Sequence, residues 1–217
     1  SGRCGNIMSM KSLLVANWKM NPGTFKEARY LLEATRKAAD KARSVSIVIA
    51  PPAIFLRQLR AVYKGKKIVF GMQNTHFESG GAFTGETSLA QARDAKAVYV
   101  IIGHAERRAL GESNDDTRKK VAAVLAAKMT PVFCIGERTR SGAGEHFTFV
   151  AEQLKTGLAD VPKGMIKKVI IAYEPVWAIG ATKAMSPRDM HEMAIYIRKA
   201  IVAVHGEMAM SVKILYG

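Results

Sequence analysis

Apolar residues gather in seven short runs separated by longer mixed segments, at 13–18, 45–50, 68–72, 97–102, 131–135, 169–173 and 212–216. Runs of this length, with little polar alternation, predict strands buried on both faces, as in a parallel sheet. Each segment between them is long enough for a crossover helix. One places Phe147, Val150, Ala151, Leu154 and Leu158 on one side of a 3.6-residue repeat. Another opens with Ser186-Pro187-Arg188-Asp189, where Ser186 suits the N-cap, Pro187 the first turn, and Asp189 the positive end of the helix dipole. Its apolar face continues through Met190, Ala194, Ile197 and Ile201. No linker rich in Pro, Ser or Gly breaks the alternation, so residues 11–217 are expected to form one α/β domain around a parallel sheet. Residues 1–10 show no periodic pattern and are read as a leader.

An open doubly wound sheet and a closed eight-stranded barrel both fit this alternation. Polar residues fall just after the runs: Asn17 and Lys19 after the first, Gln73 and Asn74 after the third, His104 and Glu106 after the fourth, Glu137 after the fifth, Glu174 after the sixth and Gly217 after the seventh. Groups from so many strands converge on one rim only in a barrel, whose active sites occupy the carboxyl face. An open sheet would carry a glycine-rich phosphate loop after its first strand. Asn17-Trp18-Lys19-Met20-Asn21 contains no glycine, so the barrel is the expected fold.

Composition narrows the function. The chain has 217 residues, 48% of them hydrophobic, which describes a globular protein and excludes disorder as its dominant state. A formal net charge of +15 favours anionic ligands such as phosphate esters or nucleic acid. The basic residues are scattered, at Lys64, Lys66 and Lys67, at Arg107 and Arg108, at Lys119 and Lys120, and at Lys163, Lys167 and Lys168. No recognition motif or aromatic platform accompanies them, so no nucleic-acid partner is expected. Cys4 and Cys134 are too few for a disulfide framework, and Cys134 lies in an apolar, buried-looking run. A reducing, cytoplasmic location is expected. No apolar stretch approaches the roughly 20 residues of a membrane span, and no signal-peptide centre is visible.

Three residues suggest chemistry together. Glu174 precedes the mostly apolar segment Pro175-Val176-Trp177-Ala178-Ile179-Gly180, which could cover it; burial makes a carboxylate a better base toward a carbon-bound proton. His104 at a strand end can polarise a carbonyl or shuttle a proton. Lys19 can bind an anion and stabilise charge developing on oxygen. Each has an ordinary alternative: a rim glutamate paired with a lysine, a histidine tied down by hydrogen bonds, a solvated lysine. On one rim, however, a base, a neutral electrophile and a cation form a set for enolisation and aldose-ketose isomerisation, requiring no metal or cofactor. Asn17 would support the oxygen or the lysine, and the Gly180 N–H could meet a phosphate oxygen once the flap closes.

Four segments then resemble the triosephosphate isomerase family, in the family's order: Asn17-Trp-Lys-Met-Asn21, Gly81-Ala-Phe-Thr-Gly-Glu86, Ile102-Gly-His-Ala-Glu-Arg-Arg108 and Ala172-Tyr-Glu-Pro-Val-Trp-Ala-Ile-Gly180. The resemblance implies a TIM (β/α)8 barrel that interconverts dihydroxyacetone phosphate and D-glyceraldehyde 3-phosphate through an enediol, in glycolysis and gluconeogenesis. It makes Glu174 the base and His104 the electrophile, with Lys19 and Asn17 completing the oxygen and phosphate environment. Behind them it sets Glu106, near Lys19, and Cys134. The mobile lid becomes Pro175, Val176, Trp177, Ala178, Ile179, Gly180, Ala181, Thr182 and Lys183. It also implies a homodimer in which the loop of Phe83, Thr84, Gly85 and Glu86 inserts beside the partner's site.

Three positions depart from the family pattern. Ala105 replaces a serine, and Gly180-Ala181-Thr182-Lys183 replaces Gly-Thr-Gly-Lys. The sequence also ends at Gly217, where the family pattern implies a further βα unit of roughly 35 residues. An alternative reading is therefore a catalytically weak barrel remnant acting by oligomerisation or partner association.

Overall fold

The computed structural model describes residues 12–42, 44–140, 142–178 and 184–217. They group into two compact units, 1–73 and 74–217, each described by itself.

The first unit runs β1 (Ser12–Asn17), α1 (Phe25–Lys41), β2 (Val45–Ala50), α2 (Ala53–Val62) and β3 (Ile68–Met72). The strands are parallel in the order β1-β2-β3, with Asn17 opposite Ala50 and Ile49 opposite Phe70. Thr24 starts α1 through a reciprocal cap: its side chain accepts the Glu27 N–H, and the Glu27 carboxylate accepts the Thr24 N–H. Ala28, Leu32 and Ala39 of α1 then join Ile47, Ile49, Leu59 and Phe70 in one apolar cluster.

The second unit runs α3 (Leu89–Asp94), β4 (Tyr99–Ile102), α4 (Ala105–Ala109), α5 (Asn114–Ala126), β5 (Thr130–Ile135), α6 (Glu145–Gly157), β6 (Ile170–Tyr173), α7 (Pro187–His205) and β7 (Lys213–Tyr216). Its strands are parallel in the order β4-β5-β6-β7. Within each unit every crossover returns to the adjacent position without reversing direction, the winding of a barrel and not of a doubly wound sheet.

The helix signals hold in detail. The Ser186 side chain accepts the Asp189 N–H at 3.2 Å, and α7 begins at Pro187. Its buried stripe is Met193, Ile197, Ile201 and His205, an i+4 ladder, so the expected Met190 and Ala194 lie half-buried at its margin. Strand boundaries match the apolar runs to within one residue except at 97–102, where the strand starts two residues later because the Ala97 N–H bonds to Ala92 O at 3.0 Å and closes the turn after α3. Burial on both faces holds for the inner strands but not for β1 or β7. Each of these pairs on one side only among the described residues, and Leu14 is 51% exposed.

Gly136, just past β5, has a steric role. A β-carbon there would stand 1.8 Å from the carbonyl oxygen of Glu174, while its N–H bonds to the buried Gln153 side chain at 2.8 Å. Gly136→Ala must therefore shift backbone, and it is expected to lower stability by about 3 kcal/mol in urea unfolding; an unchanged midpoint would contradict this packing.

His205 is buried at the end of α7, and burial, then the Lys163 charge, lowers its pKa below the usual 6.5. The unfolded chain then takes up that proton first, so stability is fully present above pH 6.5 and declines as the pH falls below it. His205→Gln is expected to shallow this acid slope in unfolding series at several pH values; an identical slope would exclude His205 as its source.

Candidate active site

Glu174 leaves β6 with its backbone fixed on both sides. Its N–H donates to Ile135 O at 2.8 Å, the Val176 N–H to Glu137 O at 3.0 Å, and on the other flank the Gly217 N–H to Tyr173 O at 3.0 Å. The side chain is 16% exposed. Its Oε1 accepts the Cys134 thiol at 3.4 Å, whereas Oε2 is buried with no hydrogen-bond partner among the described residues. A buried carboxylate oxygen without a donor has lone pairs open to an incoming proton.

His104 follows β4 through Gly103, whose φ of +70° turns the chain sharply. The ring is buried, and Nδ1 accepts the Glu106 N–H at 3.2 Å. This hydrogen bond assigns the proton of the neutral ring to Nε2. Nε2 lies 3.8 Å from Glu174 Oε1, too far for a direct hydrogen bond, so imidazole and carboxylate stand side by side without consuming each other. Glu106 lies on the opposite side of the ring, with Oε2 3.7 Å from Nδ1 and the side chain 59% exposed. Cys134 is buried, and desolvation, then the charge and hydrogen bond of Glu174, push its thiol well above the usual range.

The start of the expected lid is anchored from β5. The buried Glu137 carboxylate accepts the Tyr173 hydroxyl at 2.9 and 3.0 Å and the Trp177 Nε1–H at 2.8 Å. Burial, then the Glu137 charge, raises the Tyr173 pKa above its ordinary range. Pro175 is buried, and Val176–Ala178 form one 3-10 turn, with the Arg140 guanidinium 5.9 Å from the Trp177 ring centre. The rest of the expected lid, Ile179, Gly180, Ala181, Thr182 and Lys183, lies outside the described residues. A cavity of about 380 Å³ borders Glu174, and Ala105 forms part of its wall with Arg108, Glu112 and Arg138.

In the first unit, Asn17 and Lys19 are held together at the end of β1. The Lys19 N–H donates to Asn17 Oδ1 at 2.9 Å, and Lys19 has φ +54°, an uncommon conformation for a residue with a side chain. Gln73 secures the turn by donating to Lys19 O at 2.8 Å and Ala50 O at 2.9 Å. The sequence marked Gln73 as a strand-end residue but supplied no role, because its partners are backbone oxygens.

The expected docking loop is internally organised. The His76 N–H donates to Thr87 O at 2.8 Å, and the Phe83 ring stacks on His76 at 4.1 Å while remaining 43% exposed. Thr84 and Gly85 are exposed at its tip, and Glu86 accepts the Asn74 side-chain amide at 3.4 Å.

An imidazole donor beside a half-hidden carboxylate, at the carboxyl ends of parallel strands, defines an α/β enzyme equipped for proton transfer. The family model for triosephosphate isomerase matches residues 12–217. A triosephosphate isomerase from Endomicrobium trichonymphae is 40% identical over 209 residues, covering 95% of this chain and 83% of that protein. The chain belongs to the triosephosphate isomerase family: it is an isomerase of the TIM-barrel class. A glutamate base beside a neutral histidine is the well-known arrangement of this family. Among the described residues, no helix is long and apolar enough to cross a membrane.

The Cys134 environment predicts an inert thiol. Peptide mapping after iodoacetamide treatment at pH 9.0 is expected to find Cys134 unmodified in the folded protein and alkylated after unfolding; rapid alkylation of the folded protein would contradict the burial and its effect.

Proposed function

We propose that this chain interconverts dihydroxyacetone phosphate and D-glyceraldehyde 3-phosphate by proton transfer through an enediol. Family membership favours this enzyme over an association module. Glu174 takes the proton from the carbon beside the carbonyl and becomes a carboxylic acid. The electron pair of the broken C–H bond forms the carbon–carbon double bond of the enediolate, and the carbonyl oxygen takes the negative charge. His104 Nε2–H donates to that oxygen and passes protons between the two oxygens. Glu174 then returns a proton to the neighbouring carbon as the second carbonyl forms.

Lys19, its backbone held by Asn17 and Gln73, supplies the cation for the phosphate and the developing charge. Gly180 offers a backbone N–H to the phosphate, and 175–183 act as the lid, its entry fixed through Trp177 on Glu137. The observation that carries the reading is the 3.8 Å placement of Glu174 Oε1 beside His104 Nε2, with Oε2 lacking a hydrogen-bond partner among the described residues.

The same reading makes residues 11–217 one catalytic domain of a cytoplasmic homodimer, with no nucleic-acid partner. Support for the homodimer is the exposed Phe83 on an ordered loop.

Glu174→Gln keeps the shape of the side chain and removes the base. It is expected to lower kcat for the triose phosphates by about 10³-fold while KM changes little; an unaltered kcat would exclude Glu174 as the base.

A further inference from the structure

The turn that carries His104 is held by charges the isomerisation itself does not use. Gly103 has one backbone donor and one backbone acceptor, and a charged side chain takes each. Its N–H donates to Glu112 Oε2 at 3.1 Å, and its carbonyl accepts the Arg108 Nε–H at 2.8 Å. Both partners are themselves fixed. Arg108 also donates to Asn114 Oδ1 at 2.7 Å. The other Glu112 oxygen pairs with Lys120, whose ammonium also donates to Asn74 Oδ1 at 2.8 Å. The Lys120 and Glu112 side chains are only 5% and 3% exposed.

A buried ion pair is a costly way to gain stability, because desolvation opposes the attraction and well-packed apolar side chains often do as well. Charged hydrogen bonds are, however, strong and directional. Here they fall on the residue where direction matters. Gly103 sits at φ +70°, and a β-carbon on it would stand 2.9 Å from the Arg108 guanidinium and 3.1 Å from Cys134 O. Rotating the Gly103 peptide would carry the His104 ring with it.

We propose that Glu112, seated by Lys120, and Arg108 form a clamp on the Gly103 backbone that positions His104 for the reaction. All three are positioning residues, acting through Gly103 and not on substrate. The proposal rests on His104 being the electrophile, and its test separates the two ideas by reading ring position independently of turnover.

In the wild-type enzyme, the Gly103 amide is expected to exchange slowly with solvent and to show the downfield proton shift of a carboxylate-bound N–H. An amide that exchanges at the rate of an exposed loop overturns the clamp without any variant. Glu112→Ala is expected to lower kcat by about tenfold or more, as small displacements of reacting groups do, with KM within about twofold. Glu112→Gln, which keeps an acceptor for Gly103, is expected to recover most of that loss. Arg108→Lys, which loses the Nε–H and the fork, tests the other arm and is read the same way if Glu112→Ala does not fold. In each impaired variant the ¹⁵N resonances of His104 should move while those of His146 and His205 stay in place. A folded Glu112→Ala or Arg108→Lys enzyme with wild-type kcat and unmoved His104 resonances overturns the proposal. Moved resonances with unchanged kcat retain the clamp and sink the electrophile role of His104 instead.

Discussion

The β5–β6 hydrogen-bond ladder does not stop where the strands end, and the chemistry of the second unit depends on that extension. Beyond Ile135 and Tyr173 the backbones remain paired, through Glu174 N to Ile135 O and Val176 N to Glu137 O. Only a glycine at 136 lets the two chains approach so closely, since any β-carbon would overlap the Glu174 carbonyl. The Glu174 carboxylate therefore hangs from sheet-like backbone and not from a free loop, which fixes its position in advance. The same extension brings the Glu137 carboxylate to Trp177 Nε1–H, so Glu174 and the turn at Val176–Ala178 share one support.

Around this support, the neighbours of Glu174 can act without neutralising it. Cys134 is buried and its thiol is held protonated, so it donates weakly and adds no charge. His104 presents Nε2–H because the Glu106 backbone N–H occupies Nδ1. An N–H donor thus stands next to a carboxylate, one of whose oxygens has no hydrogen-bond partner among the described residues. In the first unit, Lys19 is set by a comparable device. A strained lysine backbone is held by an asparagine side chain before it and a glutamine from the end of β3, two strands away.

Much of this was legible in the sequence because it rests on short-range rules. Seven apolar runs became seven strands, and Ser186-Pro187 became a helix start, since burial and capping depend on neighbours in the chain. Glu174, His104 and Lys19 were visible as polar residues just after apolar runs. Less visible were roles that depend on a distant partner. Lys120 read as one of many surface lysines, yet it is buried against Glu112 and Asn74, and no local spacing signals that pairing. Glu137 was marked only as a strand-end polar residue; its two donors come from Tyr173 and Trp177, 36 and 40 residues away. The exposure of Leu14 was missed for a similar reason, because an apolar run does not reveal how many neighbours its strand will have.

The central claim is that a carboxylate and a neutral imidazole move a proton between two adjacent carbons of a triose phosphate. Isomerisation carried out in D₂O, with the product examined by proton NMR, tests it most directly. A proton held by Glu174 as a carboxylic acid exchanges with solvent, so the product is predicted to carry deuterium on the carbon that receives it. No deuterium at that carbon after many cycles of interconversion, together with an equally fast Glu174→Gln enzyme, would mean that hydrogen passes between the carbons without resting on Glu174, and would contradict the account.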